Sequence, residues 1–324
     1  MDIKELQKTS FLKCTHYDGR VIPLQACFND NKKWEWWIPG PEGLIKTQPT
    51  EIVEGYYFAK EPAKENDGFL AFSNFMLKRA YYNDVVIFVR GITEDFQNLG
   101  ASIDKLNLFY SLSTKDGPSI STRYISTELE YIFKVCRSLF DLLQEIIYRI
   151  WKRLKYHDKS KKTKLLKQSF AKMILHNDNI LTPEEIENKF FIPTALANFY
   201  YFQAKFFKWL REYRNKIDHA GEGFKLIFFT ERGFAVNIDE EPFSELDFWN
   251  DKNTLPNKLG SVRSVIAYVI LNTINSLEEF TKIISSIVDM PYDISPDYSV
   301  FIRSPHISAL IESNKYINEQ PWNK

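Results

Sequence analysis

Cysteine is scarce in this chain. Cys14, Cys27 and Cys136 are too few and too widely spaced for a disulfide framework, which points to a reducing compartment. Cys14, His16 and Cys27 supply three soft ligands without a fourth, so neither a structural zinc nor any other metal or cofactor is expected. Glycine (12) and proline (14) are sparse, which excludes long flexible linkers. Net charge is absent too, with 42 basic against 42 acidic side chains, so only the local distribution of charge can indicate a partner. The longest apolar stretch lies around 265–271, well short of the roughly 20 residues of a membrane span. The first residues form no apolar signal segment. No glycine-rich phosphate loop and no nucleophilic serine elbow occurs. Together these absences lead to the expectation of a soluble cytoplasmic protein with no membrane partner.

Aromatic residues, by contrast, make up 15% of the chain, and hydrophobic residues 44%, enough for a large core. The first part reads as short strands between turns: Val21–Cys27, Trp34–Ile38, Glu54–Ala59, and Val85–Val89 before Gly91. Helices are expected at about Phe69–Tyr82 and Ala101–Leu112. The turn-rich Lys115-Asp116-Gly117-Pro118-Ser119 marks a boundary, giving a mixed α+β domain over 1–118.

From Ser126 the pattern becomes helical. Leu129, Ile132, Phe133, Cys136, Phe140, Leu143, Ile147 and Ile150 recur every three or four residues, predicting an amphipathic helix to about Leu154. A second helix is expected at Thr163–Leu175. A third starts at Pro183 with Thr182 as its cap, and a fourth runs from near Pro193 to His219-Ala220-Gly221. A hairpin follows over 225–229 and 234–238, then a last long helix over about Ser261–Val288. These elements predict a helical domain at 119–290, with a tail carrying a short helix at 291–324. The fold class is therefore α+β: a mixed N-terminal domain followed by an α-helical bundle with a β-hairpin insertion.

One segment points to chemistry: Arg211-Glu212-Tyr213-Arg214-Asn215-Lys216-Ile217-Asp218-His219-Ala220-Gly221, at the end of a long aromatic-rich helix. Histidine titrates near neutrality and can move protons. Arginine offers a fixed fork of donors for phosphate oxygens. Asparagine can orient a phosphate or an imidazole. Arg214-Asn215 with His219 after four intervening residues, late in a helical bundle, resembles the HEPN family of RNA-cleaving proteins over about residues 125–290. The resemblance implies an endoribonuclease that needs no metal, leaves a 2′,3′-cyclic phosphate, and serves as a bacterial toxin or antiviral abortive-infection effector. It implies Arg214, Asn215 and His219 as catalytic residues, with Arg137, Asp141 and Asp218 in support. It also implies a homodimer formed through this helix, because one copy supplies a single motif, and it leaves room for an antitoxin or regulatory partner. The alternative is a non-catalytic HEPN-like module that binds RNA, a nucleotide or a protein.

A second signal is a basic run. Between 149 and 172 ten basic residues stand against the single Asp158. Arg149, Lys152, Arg153, Lys155, Lys159, Lys161, Lys162 and Lys164 are its candidate RNA contacts, with Trp151 and Tyr156 as stacking partners if exposed. The competing reading is a solvated helix face. For Arg137 and Asp141 it is a pair four residues apart along one helix.

Overall fold

A computed structural model of the chain describes residues 25–28, 34–40, 43–47, 55–79, 83–117, 121–153, 155–156, 164–217 and 226–323. The chain divides into two compact units, Met1–Gly55 and Tyr56–Lys324. In the first, strands β1 (Gln25–Phe28), β2 (Trp34–Gly40) and β3 (Gly43–Thr47) form an antiparallel meander. Trp34 lies opposite Phe28, and Trp36 opposite Ala26 and Thr47. The expected Trp34–Ile38 strand is present and runs on through Pro39-Gly40. Residues 21–24, Cys14 and His16 lie outside the described residues.

The larger unit is a helical assembly with small antiparallel sheets, so the chain as a whole is α+β. After strand β4 (Gly55–Ala59) come helix α1 (Ala71–Leu77), α2 (Asn83–Asp116) and α3 (Ser121–Trp151). The Val85–Val89 strand and the separate Ala101–Leu112 helix are corrected here, since both belong to the single helix α2. Val85, Val89, Ile92, Phe96, Leu99, Ile103, Leu106 and Tyr110 are all buried at helical spacing. Neither Gly91 nor Gly100 breaks the helix. At Gly100 a Cβ would lie 2.3 Å from the His306 carbonyl oxygen, so glycine lets another segment approach closely.

The expected boundary near 118 falls inside this unit, between α2 and α3, which pack along each other. Gly117 takes φ +90°, a left-handed conformation that glycine adopts without penalty.

Next along the chain come the short strand β5 (Lys155–Tyr156), helix α4 (Phe170–Ile174), and strands β6 (Leu175–His176) and β7 (Asn179–Ile180). The helix expected over Thr163–Leu175 is thus shorter, and residues 164–169 are non-helical. The backbone there serves another purpose: the Lys167 carbonyl accepts from Nε2 of the buried Gln144 at 2.6 Å. Helix α5 (Pro183–Phe190) begins as expected, with Thr182 and Glu185 forming a reciprocal capping box. Helix α6 (Thr194–Asn215) follows.

The predicted hairpin is β8 (Phe228–Thr230) with β9 (Gly233–Asn237). Strands β10 (Thr254–Leu255) and β11 (Leu259–Ser261) extend it to a sheet of order β10-β11-β9-β8. Helix α7 (Val262–Ile287), the last long helix expected over about Ser261–Val288, is capped by the Ser261 side chain. It is followed by β12 (Val288–Asp289), β13 (Ser299–Arg303), α8 (Ile307–Glu312) and α9 (Lys315–Asn318). The C-terminal residues are built into the larger unit: β13 pairs with β4, and Trp322 donates to the Lys252 carbonyl at 2.8 Å.

Buried polar bonds fasten these pieces. Asp67, 3% exposed, accepts from Arg303 Nε (2.9 Å) and Nη2 (2.8 Å), from the Lys64 amide (2.8 Å) and from the Tyr57 hydroxyl. The Arg303 guanidinium, with Tyr57 and Lys64, holds the Asp67 carboxyl well below the usual carboxylate range, against the opposing effect of burial. Because the folded state depresses this pKa, the stabilisation is present above the ordinary carboxylate value of about 4 and is lost as pH falls below it. Asp67→Asn should lower the unfolding free energy by about 1–3 kcal/mol at pH 7. In urea titrations at pH 7 and pH 3 the gap between wild type and variant should shrink at the lower pH. A gap of equal size at both would remove the ionised carboxylate from the account.

Candidate active site and nucleic-acid surface

Helix α6 carries the Arg-Asn motif, and its own sequence fixes which way it faces. Tyr200, Ala204, Phe207 and Leu210 are fully buried, and Tyr213 nearly so. They pack α6 antiparallel on α3. Phe133 meets Trp209 and Tyr213, with ring centroids 5.2 and 5.4 Å apart. Phe140 meets Phe207 at 5.5 Å, and the Tyr200 hydroxyl donates to Gln144 Oε1 at 2.8 Å.

Past Tyr213 the helix still buries Ile217, while the residues between turn toward the surface. Arg214 and Asn215 are both half-buried, and Arg214 Nη1 lies 3.3 Å from Asn215 Oδ1. The helix then widens into a π turn at Lys216 and Ile217. Lys216 forms an ion pair with Glu241, which ties the helix end to the loop after β9 and holds the Glu241 carboxyl below its usual range. Arg211 reaches Asp178 at 3.4 Å. Asp218, His219 and the expected Gly221 cap lie outside the described residues.

Arg137 and Asp141 pair with each other on α3, as the intrahelical reading had it. The Arg137 guanidinium also lies 5.5 Å from the centre of the Phe207 ring. Arg137 Nε and Asp141 Oδ1 are buried and make no hydrogen bond among the described residues. The antiparallel register puts Arg137 level with Phe207, seven residues before Arg214. At 1.5 Å per residue that is roughly 10 Å along the axis. The structure therefore brings Arg214 and Asn215 together, and pairs Arg137 with Asp141 at a different level of the bundle.

Much of the basic run is committed within the fold. Arg149 pairs with Glu145 at 2.8 Å and lies over the Phe88 ring. Arg153 pairs with Asp84 at 2.9 Å, and Lys152 donates to the Tyr148 hydroxyl at 3.0 Å. Lys164 donates to the Lys189 carbonyl at 2.9 Å, next to the end of α5, where a cation is favoured. Trp151 is 4% exposed, so it packs in the core and has no face for a base. Lys155 belongs to β5, opposite Asp289, while Lys159, Lys161 and Lys162 lie outside the described residues. Lys167 and Lys172 line an open groove of about 750 Å³ together with Asp141, Glu145 and Tyr148, a wall of mixed charge.

A separate cleft of about 410 Å³ lies along α6, bordered by Phe202, Phe206, Trp209, Tyr268 and the loop at Glu245–Asp247. The sequence reading missed it, because aromatic residues at helical spacing along α6 read simply as core. The one available signal was their number, more than a single buried stripe accommodates.

Among the described residues no group of three His, Cys, Asp or Glu side chains is placed to hold a metal ion. No described helix is long and apolar enough to cross a membrane. Set against protein-family models, curated proteins and solved structures, the chain matches none.

Proposed function

We propose that the chain is an endoribonuclease of the HEPN type, acting as a toxin or antiviral effector. The observation that carries this reading is the placement of Arg214 and Asn215. They lie side by side and half-buried in the last turn of α6, between the buried Tyr213 and Ile217, with His219 four residues beyond Asn215.

RNA brings its own nucleophile, so the protein needs only to move protons and neutralise charge. The 2′-oxygen attacks phosphorus as its proton passes to a base. The bond to the 5′-oxygen breaks as that oxygen takes a proton from an acid, leaving a 2′,3′-cyclic phosphate and a 5′-hydroxyl. His219 serves in this proton traffic. Arg214 neutralises the phosphorane, where charge develops, and Asn215 orients the phosphate. One motif offers one imidazole for two proton transfers. Two copies of the chain, joined through the α6 ends by an isologous contact, supply both.

The test is incubation of wild type and His219→Ala with total RNA and with tRNA in EDTA. The expected result is cleavage by wild type that survives the chelator, ends in cyclic phosphate and disappears in the variant. Equal cleavage by both proteins would remove His219 from the mechanism. Tight RNA binding without cleavage by a dimeric wild type would favour the binding module instead.

A further inference from the structure

The cleft beside α6 is independent of the Arg214 site. Five residues separate Trp209 from Arg214, which at about 100° per residue puts them on different sides of the helix. Its floor is a corner of three rings. Phe206 and Trp209 are stacked with centroids 6.0 Å apart, and Tyr268 of α7 stands edge-on to both, at 6.1 and 6.4 Å. Two of these rings are fixed from behind. Trp209 Nε1 donates to the Pro242 carbonyl at 3.2 Å, and Phe248 stacks on Tyr268 at 4.8 Å. Phe202, 72% exposed, stands at the rim.

The charges around this floor are unequal. Lys208 is neutralised by Glu212 at 3.4 Å. Glu245 and Asp247 line the opposite wall, and their carboxylates pair with no cation among the described residues. Lys205 is the remaining cation, exposed on the helix wall. The uncompensated charge of the cleft is therefore negative. Burial, and then Asp247, push the Tyr268 phenol above its ordinary range.

Fixed aromatic faces beside unpaired carboxylates suit a positive group on an apolar stem. A volume of this size admits one such group with part of its backbone. We infer that this cleft binds an organic cation, a guanidinium or ammonium on an alkyl chain. The rings take the stem, and Glu245 and Asp247 take the charge. The same chemistry is offered by an arginine side chain of a peptide and by a free alkyl guanidine, and the inference does not depend on the ribonuclease reading.

Calorimetric titration of the full chain at low salt tests it with three probes: a blocked Gly-Gly-Arg-Gly-Gly peptide, agmatine and adenosine monophosphate. One or both cations should bind, and their relative affinity identifies the source. The double variant Glu245→Gln, Asp247→Asn should weaken that binding about tenfold or more. Lys205→Ala should tighten it, because it removes a repelling charge. All three substitutions are at exposed positions, and a thermal melt checks that the fold is retained. Absence of cation binding at millimolar concentration overturns the inference. So does nucleotide binding that weakens in Lys205→Ala, which would make this an anion site.

Discussion

Replacing Phe170 by alanine is expected to lower the free energy of unfolding by about 3–5 kcal/mol, the range for emptying a fully buried aromatic site. Phe170 has no exposed surface. Its ring centroid lies 4.9 Å from Phe207, 5.0 Å from Phe140, 5.4 Å from Tyr200 and 6.5 Å from Phe199. The short helix α4 thus plugs the seam between α3 and α6. The cavity cannot close easily, because Gln144 is bonded to both Tyr200 and the Lys167 carbonyl and holds the neighbouring segments in place. Phe202→Ala, on the same helix as Phe207 but 72% exposed, should change stability by no more than about 0.5 kcal/mol. Urea unfolding of both variants checks the contrast. Equal losses would mean that the α3–α4–α6 seam is not the centre of the core.

Phe170 also marks the limit of what periodicity can tell. Helices α3, α6 and α7 were legible because each buries a continuous stripe, and the start of α5 because Thr182 is a cap with a mechanism. Residues 164–169 were not. Their lysines and leucines suit a helix, but the segment is non-helical and its Lys167 carbonyl meets the distant Gln144 amide, a contact no local pattern announces. Helix α2 failed for the opposite reason. Val85–Val89 is β-branched and precedes a glycine, so the local signal says strand. The burial of Val85, Val89, Ile92 and Phe96 every three or four residues overrides it. At the site, the types and spacing of Arg214, Asn215 and His219 were readable, and so was the pairing of Arg137 with Asp141 along α3. Within the basic run, folding gives Arg149 and Arg153 acidic partners. Glu145 stands four residues before Arg149 on α3 and could be read from the sequence, whereas Asp84 comes from a helix far away in sequence.

That difference between Arg137 and Arg214 leads to opposite expectations for two similar substitutions. Under the proposed mechanism, Arg214→Ala should reduce the rate of RNA cleavage by about 10²–10³, the usual loss on removing one donor from a developing oxyanion. Arg214→Lys should recover only part of it, because an ammonium restores the charge without the planar fork. Arg137→Ala should leave cleavage within a few-fold of wild type and instead lower stability by about 1 kcal/mol. It strands the Asp141 carboxylate, one oxygen of which is buried. Single-turnover cleavage of one defined RNA, run beside thermal melts, separates the two effects. If Arg137→Ala lost as much activity as Arg214→Ala with its melting temperature unchanged, the two arginines would have to share one phosphate. The antiparallel α3–α6 register, which sets them roughly 10 Å apart along the axis, would then be wrong. If instead only Arg214→Ala lost activity, the end of α6 would be the place where RNA is cut, and Arg137 would belong to the architecture that holds it.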